Sequence, residues 1–209
     1  MARWFTSDLH LGHANIIKFC QRPFLVDGVA DSDSAPLPDV DLMNSEIVRT
    51  INDLVGPEDE LWVLGDVAMG KLDDTLPLIK QLSAGRKILV SGNHDRCHPS
   101  NGKRAERFVE IYSDKQRSGF DEVILTNTTL LLDEGVEVSV SHFPYSLSPQ
   151  ESRARRGATQ DTDRFAQWRP VDDGRWLLCG HVHDAWRQQG RQVNVGIDAW
   201  GGRPVSEME

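Results

Sequence analysis

Short apolar runs and amphipathic stretches follow one another along this chain, and most of the apolar runs stop abruptly at polar residues. Residues 2–7, ARWFTS, read as a buried strand, and GHANIIKFC as the start of a helix. Residues 21–38, QRPFLVDGVADSDSAPLP, concentrate Pro, Gly, Asp and Ser and read as a loop. In DVDLMNSEIVRTINDLV the apolar positions Val40, Met43, Ile47, Ile51 and Leu54 recur at steps of three or four, placing them on one helix face that GPED closes. ELWVLGD is a strand ending at Gly65–Asp66. KLDDTLPLIKQL is helical in pattern, with a break expected at Pro77, and RKILVSGNHD is again a strand. DEVILTNTTLLLDE and VEVSVSH are β-rich. Residues 143–175 lack periodicity and predict a long loop excursion, placed to act as a lid. RWLLCGHVH and RQVNVGIDAW complete the set as strands. There is no internal repeat. The alternation of strands and helices predicts an α/β (α+β) fold, and 209 residues fit a single domain spanning 1–209.

Charge and cysteine usage narrow the function classes. A formal net charge of -9 argues against a surface that grips nucleic acid non-specifically. It leaves phosphate substrates open, because bound cations reverse the local field. No stretch is long and apolar enough to cross a membrane, and MARWFTSD has no apolar signal region. Three cysteines, Cys20, Cys97 and Cys179, are odd in number and form no CxxC pair. They read as reduced structural thiols, and the expected location is the cytoplasm.

The chemistry gathers at strand ends. WFTSDLH, WVLGD, ILVSGNHD, VSVSH and WLLCGHVH each close a strand with polar residues, and in α/β sheets ligands bind outside the carboxyl ends of strands. Asp8 and His10 are spaced i, i+2, which on an extended backbone points both to one face; His181 and His183 repeat that spacing. Asp66, Asn93 and His142 each end their own strand. Alone, each block has an ordinary reading: a helix cap, an everyday Gly-Asp turn, a left-handed Asn, a hydrogen-bonded buried His. Together they offer carboxylate, imidazole and amide but no thiolate, a set suited to Mn²⁺, Fe or Zn²⁺.

In order and in type, DLH, GD, GNHD, a lone His and GHVH resemble the calcineurin-like metallophosphoesterase family, over residues 6–198. SDLHLGHANII and NVGIDAWGGRPVS further resemble a small bacterial and phage subgroup of predicted phosphoesterases. The resemblance implies a four-layer β-sandwich flanked by helices, with a metal site at the C-terminal ends of strands. It implies two divalent metal ions, Mn²⁺ first and Fe, Zn²⁺ or Ni²⁺ as alternatives. One would be held by Asp8, His10 and His183, the other by Asn93, His142 and His181, with Asp66 between them. His94 would contact substrate and Asp95 would orient it. The implied activity is a metal-dependent phosphohydrolase, foremost a phosphodiesterase using a metal-bridging hydroxide on a small or nucleotide-like ester. A nuclease is the alternative, and a non-catalytic scaffold ranks below it because every ligand position is filled.

Three residues join the substrate side as candidates: His13, Arg22 and Arg96, the arginines because a guanidinium fork matches phosphate. The basic cluster Arg153, Arg155 and Arg156 is diluted by Asp161 and Asp163 and reads as an exposed loop. His98, before Pro99, reads as a loop residue.

Overall fold

The computed structural model describes residues 1–26, 36–146 and 164–209. In chain order its elements are β1 (Arg3–Thr6), α1 (Ala14–Phe19), β2 (Leu25–Val26), β3 (Leu37–Pro38), α2 (Val40–Leu54), β4 (Glu60–Val63), α3 (Leu72–Ile79) and β5 (Arg86–Val90). There follow a 3₁₀ segment (Pro99–Arg104), α4 (Glu106–Ser113), α5 (Lys115–Ser118), β6 (Glu122–Ile124), β7 (Asn127–Leu131) and β8 (Glu137–Ser141). A 3₁₀ turn (Ala166–Trp168), β9 (Trp176–Cys179), β10 (Gln188–Gln189), β11 (Gln192–Asn194), a 3₁₀ turn (Ile197–Trp200) and β12 (Val205–Ser206) complete the chain.

Two five-stranded sheets form, ordered β12-β1-β4-β5-β6 and β10-β11-β9-β8-β7. In the first, β1, β4, β5 and β6 are parallel, with Phe5 opposite Trp62 and Trp62 opposite Ile88. Alternation on these strands supplies both faces. Phe5, Trp62, Leu64, Ile88 and Val90 meet Val138, Val140 and Val195 of the second sheet, forming the filling of a sandwich. Leu61, Val63 and Leu89 point the other way, onto Ile17, Met43, Ile51, Leu76 and Ile79 of the helices. Strands buried on both faces read as unbroken apolar runs, which is why ELWVL and RKILV look as they do. The outer face of the second sheet carries a smaller cluster of Tyr145, Leu177 and Cys179, with Trp186 packed on it. The mixed α/β sandwich with helical cover is thus the architecture, and among the described residues the α-helices gather on the first sheet.

The amphipathic stretch forms α2 as its spacing requires. Asp39 caps it by accepting from the Leu42 N–H at 2.9 Å, and Met43, Ile47, Val48 and Ile51 are buried. Pro77 does not break α3. It stands near the helix end, where it removes one backbone bond, and the helix stops two residues later in a tight turn with Lys80 N–H on the Pro77 carbonyl at 3.2 Å. Within the predicted loop 21–38, β2 and β3 pair as a small antiparallel ribbon. The expected excursion at 143–175 is described only at its two ends, and Arg153, Arg155, Arg156, Asp161 and Asp163 lie outside the described residues. No helix among the described residues is long and apolar enough to cross a membrane.

Candidate metal centre

The five predicted strand ends, three from the first sheet and two from the second, converge. Just beyond β1 and β4 the chain runs side by side without strand geometry: Asp8 N–H bonds the Gly65 carbonyl at 3.0 Å and His10 N–H the Asp66 carbonyl at 2.9 Å. The i, i+2 argument for Asp8 with His10, and for His181 with His183, is corrected here. All four leave the strands and adopt left-handed backbone, with φ of 58°, 50°, 71° and 49°, and Asp66 joins them at 53°. Non-glycine residues rarely hold such values, and clusters of them mark sites where the surrounding structure fixes side-chain direction at the expense of local strain.

That strained backbone brings two groups together. The ligand atoms of Asp8, His10 and His183 lie within 4.8 Å of one another, and so do those of Asp66, His142 and His181. Asp66 stands between them, with Oδ2 3.7 Å from His10 Nε2 and 3.5 Å from His142 Nε2. Asn93 Oδ1 is 3.1 Å from His142 Nε2 and so belongs to the second group. Asp8, His10, Asp66 and His142 are buried, yet Asp8 Oδ1 and both ring nitrogens of His10 have no hydrogen-bond partner. Buried polar atoms are nearly always paired, so these orphans, together with a carboxylate–imidazole–amide donor set, fit divalent cations. Burial, then the neighbouring Asp8 charge, pushes the Asp66 pKa well up, while burial and adjacent imidazoles push those of His10 and His181 well down.

Supporting contacts aim these groups. The buried His142 ring meets the Leu64 carbonyl through Nδ1 at 2.8 Å, which leaves Nε2 facing Asp66. His183 Nδ1 meets Asp198 Oδ2 at 2.9 Å, leaving Nε2 for the Asp8 side, an arrangement typical of metal-bound histidine. Burial lowers the His183 pKa, but hydrogen bonds to Asp198 and Cys20 outweigh it and the value is raised to about 11. Two glycines let the loops approach so closely. Gly65 (φ 87°) would place a Cβ 2.6 Å from His142 Nδ1, and at Gly180 a Cβ would collide with Ser7 Oγ and come 2.6 Å from Asp8 Oδ2.

The remaining candidates separate clearly. His94 is 45% exposed at its side chain, with Nε2 4.0 Å from Asp66 Oδ2 and its N–H on Asp66 Oδ1 at 2.8 Å, and it faces a cleft of about 390 Å³. His13 lies beside the centre, its ring 5.6 Å from that of His10. Arg96 lines the same cleft.

Two assignments are corrected. Asp95 does not orient the His94 ring: its buried carboxylate accepts from the N–H groups of Asp66 (2.9 Å), Gly92 (2.8 Å) and Val67 (3.1 Å), pinning the two loops to each other. Arg22 is not a phosphate clamp. Only 6% exposed, it donates to both oxygens of Asp198 at 2.7 and 3.0 Å and to the carbonyls of Asp8 and Leu9 at 2.7 and 2.8 Å. Every guanidinium nitrogen is committed beneath the centre. His98 is likewise buried, accepting from the Ser100 N–H at the start of the 3₁₀ segment.

Sequence reasoning missed Asp198 and Asn194. Asn194 donates to the carbonyls of His183 and Trp186, both at 2.7 Å, and so holds the loop that carries His183. The signal lay in NVGIDAW, an acid and an amide in an otherwise apolar stretch. The Arg22–Asp198 pair yields a stability prediction. Arg22→Leu leaves the buried Asp198 with only His183 against it and strips the Asp8 and Leu9 carbonyls of their donor, and should cost about 3–5 kcal/mol, the range for breaking a buried ion pair. Denaturant unfolding reads the loss, and adding Asp198→Asn should recover part of it; a variant as stable as the parent would show the pair to be idle.

A sandwich whose strand ends set Asp66 between two imidazole-bearing groups is an arrangement that fits metal-dependent hydrolysis of phosphate esters. The chain belongs to the calcineurin-like phosphoesterase family, whose model matches residues 1–185. The Gene 66 protein of Mycobacterium phage L5 is 34% identical over 217 aligned residues, covering 99% of this chain and 90% of that protein. The Gene 66 protein of Mycobacterium phage D29 is 36% identical, covering 94% and 88%. Uncharacterized protein MJ1445 of Methanocaldococcus jannaschii matches 44% of the chain at 32% identity. In fold the chain is similar to AQ665, a protein of unknown function from Aquifex aeolicus, with a TM-score of 0.59 at 24% identity over 99% of this chain and 96% of that one.

Proposed function

We propose that this phosphoesterase is a dinuclear phosphodiesterase acting on a small, nucleotide-like ester, with Mn²⁺ as the preferred ion. The carrying observation is the pair of ligand groups joined by Asp66, with orphaned buried donor atoms on Asp8 and His10. Asp8, His10 and His183 would hold one ion and Asn93, His142 and His181 the other, with Asp66 shared. Bound there, such ions neutralise phosphate charge and make water a nucleophile near neutral pH.

The chain's own residues supply the rest. Asp95 holds the loops bearing Asp66 and Asn93 in register, and Asp198 fixes the direction of His183. His94 stands at the cleft wall, outside both ligand groups, where it can give a proton to the departing oxygen. The acidic surface and modest cleft favour a compact substrate over a long polyanion, which ranks the nuclease reading second.

Metal stoichiometry tests the proposal. After reconstitution with Mn²⁺ two ions per chain are expected, and Asn93→Ala should lower occupancy of one of them. Saturation at a single ion, with Asn93→Ala unchanged, would remove the second site.

A further inference from the structure

We infer that the cleft beside the metal centre is a subsite for a second phosphate of the substrate, gripped by Arg96 and Arg164. This deepens the phosphodiesterase reading and rests on it. The cleft opens against Asn93, His94 and His181, and among the described residues none that line it is Asp or Glu. In a chain with 32 acidic against 23 basic residues, a wall whose described residues include two arginines and no carboxylate is a local reversal of charge.

Among the described residues, both guanidinium groups are held in place without an acid. Arg96 donates through Nη2 to the Gly70 carbonyl, and its guanidinium carbon lies 5.4 Å from the centre of the Phe108 ring. That of Arg164 lies 5.0 Å from the centre of Phe165, which packs on Phe143 and meets the His181 ring edge-on. By contrast Arg3, Arg22, Arg49, Arg86, Arg175 and Arg191 each sit on a carboxylate. A guanidinium leaning on an aromatic ring keeps in-plane N–H groups for a phosphate, and its stem is already ordered.

Size and charge restrict the substrate class. About 390 Å³ is near the lower end of ligand pockets, room for a phosphate and one attached group. Two chemistries place a second phosphate next to the scissile one, a phosphoanhydride and a phosphorylated dinucleotide, and the subsite recognises what they share.

The experiment uses Mn²⁺-loaded protein and four substrates: bis(4-nitrophenyl) phosphate, a dinucleotide with and without a 5′-phosphate, and the 4-nitrophenyl ester of a nucleoside 5′-diphosphate. A second phosphate is expected to raise kcat/KM, and the arm that shows the gain identifies its source. Arg96→Gln and Arg164→Gln should each cut that gain on the order of tenfold, through KM, as expected for a charge-assisted contact. Arg117→Gln, an exposed charge outside the cleft, should not. Equal loss on all four substrates, or equal loss from Arg117→Gln, would overturn the subsite. If bis(4-nitrophenyl) phosphate is not hydrolysed at all, the diesterase reading fails instead. Calorimetry with inorganic pyrophosphate against inorganic phosphate then reads the subsite directly: a pyrophosphate preference that survives in the double variant overturns it, and one that vanishes supports it.

Discussion

Removing divalent metal with a chelator should reduce hydrolysis of a bis-aryl phosphodiester to background while leaving the circular dichroism spectrum essentially intact. The two halves of this result have separate origins. Activity depends on polar atoms that no hydrogen bond satisfies: Asp8 Oδ1 and the His10 ring nitrogens, with His10 Nε2 3.9 Å from Asp8 Oδ1 and 3.7 Å from Asp66 Oδ2. The fold depends on clusters remote from them, Phe5, Trp62, Ile88 and Val140 between the sheets and Met43, Ile51, Leu61 and Ile79 under the helices. Burying such side chains contributes roughly 1.5–3 kcal/mol each, so the sandwich should stand without metal. Its stability should still fall, because Asp66 and Asp8 are left facing each other in a buried site. Burial and that neighbouring charge raise the Asp66 pKa, which favours its protonated form in the metal-free site, whereas metal binding favours the carboxylate. Apparent metal affinity should therefore rise with pH, with proton release measurable in weak buffer. Loss of the dichroism spectrum on chelation would instead make the metals structural.

Why the centre could be read from residue order, and its geometry could not, follows from how it is built. Ligand identity sits at strand ends, and strands buried on both faces announce themselves as apolar runs, so DLH, GD, GNHD, His142 and GHVH were visible as a series. Direction was not visible. Period-two alternation holds inside a strand, and Asp8, His10, Asp66, His181 and His183 lie beyond theirs on left-handed backbone. The Arg22–Asp198 pair spans 176 positions, and nothing local in QRPF distinguishes a buried guanidinium from a phosphate ligand. The helical stretch between β5 and β6 is likewise hard to see in the sequence. Phe108, Val109, Ile111 and Tyr112 do give α4 an apolar face, but in a helix of eight residues the period repeats too few times to stand out from the sequence alone. β12 is two residues long and exists as a strand because Val205 and Ser206 pair with Phe5 and Trp4.

His94→Ala is expected to keep both metals and lose on the order of 10²–10⁴ in kcat, the span of general acid catalysis. Its position carries the expectation: next to two proposed ligands, Asn93 and Asp66, yet outside both ligand groups and open to the cleft. The loss should be steep for leaving groups of high pKa and shallow for nitrophenolate, which departs without a proton. Asp66→Asn should differ, because weakening the proposed shared ligand would lower metal occupancy and slow every substrate alike. A pH profile adds an independent check. Burial, then the neighbouring His142, lowers the His94 pKa, so its protonated form is the minor one at neutral pH. As pH falls toward that pKa the protonated fraction grows, and the rate with a poor leaving group should rise relative to the rate with a good one. Taking the ratio cancels the effect of pH on the metals. In His94→Ala that relative rise should vanish. A variant that loses metal, or that slows good and poor leaving groups equally, would make His94 a ligand or a plain electrostatic contact to the phosphate.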